Sequence, residues 1–232
     1  MKKNLYAHIV LDRSGSMETD RDATIGAVNE YANGLGMDDK VDARISLTIF
    51  DSQSIDLIRD NIPAAEFEKL TRETYQPRGG TPLNDAIGRT VAKIDVETRR
   101  EDEGIVLVIV TDGQENASNE YTKDAVKKLL EGRQKDKSWL VLFLGADINV
   151  FDEGVIGRGT VQGHTLAFNK SNVQASMRAA SRSSVAYAMA GNTATMDSYF
   201  TDAERDESIA PEPKPVPPNP KVKDALEKSR AI

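Results

Sequence analysis

Six consecutive apolar residues at positions 105–110, Ile-Val-Leu-Val-Ile-Val, constrain the fold of this chain more than any other stretch. The run is rich in β-branched residues, which favours a strand. A strand with apolar side chains on both faces is typical of a parallel sheet that helices cover on both sides. We therefore predict that residues 105–110 form the buried central strand of an α/β fold.

The rest of the chain alternates between strand-like and helix-like patterns, which is the arrangement expected of such a fold. Further strands are predicted at residues 5–11, 42–50, 54–59, 139–144 and 164–168, and the one at 54–59 should fold back antiparallel at the sheet edge. Helices are predicted at residues 22–35, 82–98, 121–134 and 172–190, with a shorter one at 149–156. The predicted fold class is a doubly wound, mostly parallel sheet with one antiparallel edge strand and helices on both faces.

Two helix starts carry specific capping predictions. Thr81 is placed to cap a helix whose first residue is Pro82, where the missing N–H of proline costs nothing. Asp85 follows at a distance similar to that of a capping box and supports a helix start there, although Glu or Gln would be usual. Ser171 is the predicted cap of the helix at 172–190.

Length and composition predict one sizeable domain followed by a tail. The chain has 232 residues, which suffices for an α/β domain at 1–200. The composition becomes charged and then Pro-rich after that point, so residues 201–232 are predicted to be a flexible tail.

Charge and cysteine content exclude several classes of function. The formal net charge is −7 and no long block of like charge occurs, so neither nucleic acid nor a membrane surface is an expected partner. The chain contains no cysteine, which excludes disulfides, zinc–cysteine sites and a cysteine nucleophile. No signal peptide or membrane span is evident, and a cytoplasmic location is expected. The oligomeric state is left open.

A carboxylate and two hydroxyls stand at alternate positions just after the first predicted strand. They are Asp12, Ser14 and Ser16 of the sequence Leu-Asp-Arg-Ser-Gly-Ser-Met at 11–17. Oxygen ligands without thiol or imidazole suit hard divalent cations. Asp and Ser are also common in turns and helix caps, so a plain strand-to-helix turn is the alternative interpretation.

Two later residues are predicted to lie beside this motif. Asp112 follows the central strand, and Thr81 opens the helix that leads into that strand. Ligands of doubly wound sheets bind at the carboxyl ends of the strands, so all three loops should meet at one rim if the first and the central strand are neighbours. Two carboxylates so close would repel each other without a cation. Asp51, at the end of another strand, either shapes this rim or merely starts a turn.

The motifs D-x-S-x-S at 12–16, G-G-T-P-L at 79–83 and T-D-G-x-E-N at 111–116 resemble the von Willebrand factor A (VWA) domain family and its metal-ion-dependent adhesion site. The residues of these motifs are similar to those of intracellular bacterial and phage members of the family, including members near tellurite-resistance proteins. The resemblance spans roughly residues 4 to 195 and implies the metal-site residues Asp12, Ser14, Ser16, Thr81 and Asp112.

The resemblance also implies how this site works. Ser14, Ser16 and Thr81 would ligate the cation directly, whereas Asp12 and Asp112 would act partly through waters. The incompletely neutralised cation would then accept a Glu or Asp carboxylate from a protein partner. Mg²⁺ is the expected ion, with Mn²⁺ or Ca²⁺ as alternatives.

The sequence does not predict an enzyme. It contains no nucleophile elbow, no phosphate-binding P-loop and no dinucleotide fingerprint, and neither His8 nor His164 is placed at the rim. Three hypotheses follow: a metal-dependent protein-binding module, a phage virion or assembly component in which the domain is structural, and a metal-dependent hydrolase.

Overall fold

The predicted central strand, at residues 105–110, is one of the two middle strands of a six-stranded sheet. The computed structural model describes residues 1–97, 99–135, 139–146, 164–191 and 199–211. Its strands lie in the order β3-β2-β1-β4-β5-β6, with only β3 antiparallel to its neighbour. Their bounds are Lys3–Asp12 (β1), Val41–Phe50 (β2), Ile55–Pro63 (β3), Gly104–Thr111 (β4), Trp139–Ala146 (β5) and Thr165–Phe168 (β6). Every residue of β4 is buried, and the predicted fold class is confirmed.

Helices cover both faces of this sheet, as the apolar central strands require. Their bounds are Arg21–Met37 (α1), Leu83–Val96 (α2), Lys123–Lys135 (α3), Val173–Met189 (α4) and Asp202–Ile209 (α5). Alternate residues of β1 serve the two layers: Leu5 and Ile9 belong to the core beneath α1 and α4, whereas Tyr6 and Val10 belong to the core beneath α2 and α3.

The capping predictions for α2 were wrong. The helix begins at Leu83, its cap position is Pro82, and no side chain caps it. The backbone of Thr81 is instead hydrogen-bonded to Asn116 in the loop after β4. Asp85 accepts the backbone N–H groups of Asn119, Glu120 and Tyr121, so its carboxylate fastens that loop to α2.

The predicted cap of α4 was wrong by one residue. Ser171 lies within a short 3-10 helix, Lys170–Asn172, and Asn172 holds the cap position without a side-chain cap bond. The amide of Asn172 donates to carbonyl groups at the end of α5, including that of Ala210 at 2.7 Å.

The last helix, α5, lies just after the predicted boundary at residue 200. Thr201 and Glu204 form a complete capping box at the start of α5, which packs against β6 and α4. Ser208 of α5 is fully buried. The division into 1–200 and 201–232 stays a prediction, and the helix expected at 149–156 and the Pro-rich stretch at 212–220 lie outside the described residues. Within the described ranges, no helix combines the length and apolar content that crossing a bilayer requires.

Candidate metal centre

The site lies where β1 and β4 end. These two strands pair directly and in parallel, with Leu11 opposite Val110, so their carboxyl ends are neighbours in the sheet. Asp12 is the last residue of β1, and Asp112 is the first residue after β4. The two carboxylates therefore share one rim, as the sequence predicted.

Asp12 is wholly buried and committed to two hydrogen bonds. Its Oδ1 accepts the backbone N–H of Ser14 at 2.7 Å, and its Oδ2 accepts the hydroxyl of Thr111 at 2.6 Å. Burial raises the pKa of Asp12 to about 6, although these hydrogen bonds oppose the rise. A cation beside this carboxylate would favour its ionised form.

Ser14 and Ser16 lie between Asp12 and Asp112: the backbone N–H of Ser14 binds Asp12, and two hydroxyls lead on to Asp112. Ser14 Oγ lies 3.0 Å from Ser16 Oγ, and the Ser16 hydroxyl donates to Asp112 Oδ1 at 2.6 Å. Ser14 occupies the cap position of the 3-10 helix Gly15–Asp20, yet its side chain makes no cap bond. Both hydroxyls therefore face the rim, and Ser16 is exposed to solvent.

Thr81 approaches the same rim from a third segment. Its backbone N–H donates to Asn116 Oδ1 at 2.8 Å, and its carbonyl accepts the Asn116 N–H at 3.1 Å. A methyl carbon built on Gly113 would lie 3.2 Å from Thr81 Oγ1, 3.6 Å from Ser16 Oγ and 3.8 Å from Asp12 Oδ2. Oxygens from two separate segments, residues 12–16 and Thr81, thus converge on one point, which the missing side chain of Gly113 in a third segment leaves open.

The donor set and its geometry fit a hard cation. Two carboxylates and three hydroxyls offer oxygen only, the chemistry that Mg²⁺ and Ca²⁺ prefer. An ammonium group already occupies part of the rim, because Lys170 Nζ lies 2.5 Å from Asp112 Oδ2. Clusters of three or more His, Cys, Asp or Glu side chains suited to a metal are absent from the described residues, so any cation here depends on the hydroxyls.

Neighbouring side chains that the sequence analysis did not assign hold the rim in place. The Tyr75 hydroxyl donates to the Asp12 carbonyl at 2.6 Å. Glu115 accepts backbone N–H groups from Asn84, Ala117 and Ser118 and thereby shapes the loop that carries Asp112. The motif T-D-G-x-E-N at 111–116 already contained both of the residues that hold this part of the rim. Glu115 shapes the loop after β4, and Asn116 binds the backbone of Thr81.

Asp51 combines the two roles weighed for it. Its Oδ1 accepts the N–H groups of Gln53 and Ser54, which is the contact of a turn-starting Asp. Its Oδ2 also binds Arg13 at 2.6 Å and Arg78 at 3.0 Å, which belong to two of the loops at the rim. Through Arg13 and Arg78, Asp51 is thus linked to two of the loops that form the rim.

The histidines lie elsewhere. His8 is buried within β1, where Tyr6 and Thr48 bind its ring at 3.1 and 2.8 Å. Burial, with a smaller effect from Lys93, lowers the pKa of His8 to about 3. His164 precedes β6, and its ring meets that of Tyr199 edge-on at 5.0 Å.

Comparison with solved structures shows a VWA-like fold. One similar structure is a von Willebrand factor type A protein from Catenulispora acidiphila, with a TM-score of 0.56 and 13% identity, covering 79% of this chain and 43% of that one. Proximal thread matrix protein 1 of the mussel byssus, with a zinc-occupied MIDAS motif, gives 0.55 and 12%, covering 80% and 48%. Manganese-loaded TRAP protein of Plasmodium vivax gives 0.50 and 17%, covering 75% and 71%.

These similarities establish the fold alone, so the metal site has to be argued from the residues of this chain. The chain spans less than half the length of the first two structures. Neither the protein-family models nor the curated proteins give a match. No comparison supports the narrower resemblance to proteins near tellurite resistance.

Proposed function

We propose that this protein is a metal-ion-dependent protein-binding module that captures an acidic group of a partner. The observation that carries the proposal is the convergence of Thr81 Oγ1, Ser16 Oγ and Asp12 Oδ2 beside Gly113. These oxygens come from two segments far apart in sequence, residues 12–16 and Thr81, which meet beside a third at Gly113. A simple turn at Asp12 would require only the first of these segments.

The roles of the five residues follow from their surroundings. Ser14, Ser16 and Thr81 would hold the ion through neutral oxygens. Both oxygens of Asp12 already accept hydrogen bonds, which suits a carboxylate that acts through water or through the hydroxyls. When bound, the ion would be a Lewis acid that accepts a carboxylate from outside, because neutral hydroxyls leave much of its charge uncompensated.

The site is open towards a partner on one side. Asp12, Ser14 and Thr81 are buried, whereas Ser16 and Gly15 are exposed. A Glu or Asp side chain could therefore approach past the D-x-S-x-S loop. Mg²⁺ is the proposed ion. Zinc and manganese occupy the two metal-bearing neighbours, so the proposal is best tested with all three metals.

A matched pair of substitutions tests the metal site itself. Thr81→Val keeps the shape of the side chain and removes its ligand oxygen. Thr90→Val makes the same change in α2, where the buried Thr90 hydroxyl has no hydrogen-bond partner in the described part of the chain. We expect Thr81→Val to weaken Mg²⁺, Mn²⁺ and Zn²⁺ binding, measured by titration calorimetry, by ~10–100-fold, a loss typical of disturbed metal sites. Thr90→Val should bind as the parent does.

Capture of a partner is tested by affinity purification from the native lysate with Mg²⁺ or with EDTA, followed by mass spectrometry. We expect a partner that is lost both with EDTA and with Thr81→Val. A partner that persists under both conditions would favour the structural assembly role instead. Absence of metal uptake by the parent protein, even with its partner present, would reject the proposed function. The resemblance to intracellular bacterial and phage members stays a prediction.

A further inference from the structure

Lys170 reaches the candidate metal site from a segment that the sequence analysis left without a role. It begins the short 3-10 helix Lys170–Asn172 between β6 and α4. Its Nζ lies 2.5 Å from Asp112 Oδ2 and 3.3 Å from the carbonyl oxygen of Ser16. The Asp112 side chain is 2% exposed, so this ammonium is the positive charge that compensates a buried carboxylate.

The rim is thereby closed by hydrogen bonds and one ion pair. Because the Ser16 hydroxyl donates to Asp112 Oδ1, the contact between Ser14 and Ser16 leaves Ser14 as the donor. Asp112 thus receives a proton donor on each oxygen, one from Ser16 and one from Lys170. The arrangement gives hydrogen-bond partners to four of the five groups that an incoming divalent cation would need to bind, namely Asp12, Ser14, Ser16 and Asp112.

The base of Lys170 is fixed, whereas its tip is half-exposed. The N–H of the preceding Asn169 donates to the Ser208 carbonyl of α5 at 2.8 Å, and the Asn169 amide donates to the Ala210 carbonyl at 3.0 Å. The Lys170 side chain itself is 35% exposed. The ammonium can therefore leave Asp112 for solvent by rotation about side-chain bonds, without movement of the backbone.

We propose that Lys170 is a tethered competitor for the metal ion, whose ammonium holds Asp112 and Ser16 in the metal-free state and departs when the ion binds. This inference rests on the proposed function. An ammonium and a divalent cation on one carboxylate would repel each other, so Lys170 raises the metal concentration at which the site fills. It also keeps the rim ordered while the site is empty.

The inference predicts opposite effects of one substitution on two measurements. Lys170→Met removes the charge and keeps most of the length. Without metal it should lower the unfolding temperature, because the buried carboxylate of Asp112 loses its charged partner. It should also tighten Mn²⁺ binding by about tenfold, because the competing charge is gone. Lys170→Arg keeps the charge and should retain weak binding, and Lys128→Met on the exposed surface of α3 should change neither value.

The measurements are Mn²⁺ titration followed by electron paramagnetic resonance, and thermal unfolding in EDTA. If Lys170 had a structural role alone, Lys170→Met would lower both the unfolding temperature and the metal affinity, and that result would overturn the inference. Equal Mn²⁺ affinity in the parent and in Lys170→Met would overturn it while leaving the proposed function intact. Failure of both proteins to bind Mn²⁺ would overturn the inference and the proposed function together.

Discussion

Gly113→Ala should remove metal binding and leave the fold intact. The added methyl carbon would lie 3.2 Å from Thr81 Oγ1 and within 3.8 Å of Ser16 Oγ and Asp12 Oδ2. A Mg²⁺ ion lies about 2.1 Å from each oxygen ligand and must stay farther than that from a carbon atom. The ion and the added methyl group therefore cannot occupy the same space.

The magnitudes differ between binding and stability. Loss of Mg²⁺ or Mn²⁺ affinity by at least ~100-fold is expected, which corresponds to about 2.7 kcal/mol of binding free energy. The methyl meets oxygens at 3.2 Å or more, and the left-handed backbone region is not occupied at Gly113. The free energy of unfolding should therefore change by no more than about 1 kcal/mol.

Gly132→Ala is the matched control. Gly132 lies in α3 with nothing within 4 Å of the added methyl. We expect this change to stabilise the helix by roughly 0.5–1 kcal/mol and to leave metal binding unchanged. The assay is titration calorimetry after removal of metal, with urea unfolding in EDTA on the same samples. Parent-like metal affinity in Gly113→Ala would refute the placement of the ion beside Gly113.

Two further predictions concern the fold. His8 is neutral in the folded protein, because burial lowers its pKa to about 3. The unfolded chain takes up this proton below about pH 6.5, so the stability that neutral His8 provides is present above that pH and is lost as the pH falls towards 3. Between pH 7 and pH 5 the parent should lose about 2 kcal/mol more unfolding free energy than His8→Gln; equal losses in urea unfolding would contradict this. A chain ending after residue 200 lacks α5 and should be destabilised by roughly 1–3 kcal/mol relative to one ending after residue 211; equal thermal unfolding of the two would support the boundary at 200.

The parts of the fold that follow from local patterns could be predicted from the sequence. The apolar run at 105–110 was placed correctly in β4, because its β-branched residues favour a strand and a parallel sheet covered on both sides buries both of its faces. The meeting of Asp12 and Asp112 depended in addition on β1 and β4 being neighbours, which local patterns do not determine. The sequence analysis left that pairing as a condition, and the pairing of Leu11 with Val110 fulfils it.

The errors have physical causes in contacts between distant segments. Thr81 looked like a helix cap because its neighbours are Pro and Leu, yet Asn116, 35 residues away, holds its backbone. Lys170 was missed because nothing near it in sequence indicates a contact with Asp112, 58 residues earlier. The division at residue 200 stays a prediction: the charged and Pro-rich composition favoured a tail, whereas Thr201 with Glu204 is a local signal for the helix α5.

Crystals of the protein soaked in Mn²⁺ and measured at the manganese absorption edge test the proposed site most directly. We predict one anomalous peak at the rim, about 2.0–2.3 Å from the hydroxyl oxygens of Ser14, Ser16 and Thr81, with Lys170 turned away from Asp112. A peak elsewhere, or none at saturating Mn²⁺ with these oxygens in place, would contradict a metal-dependent binding site at the ends of β1 and β4.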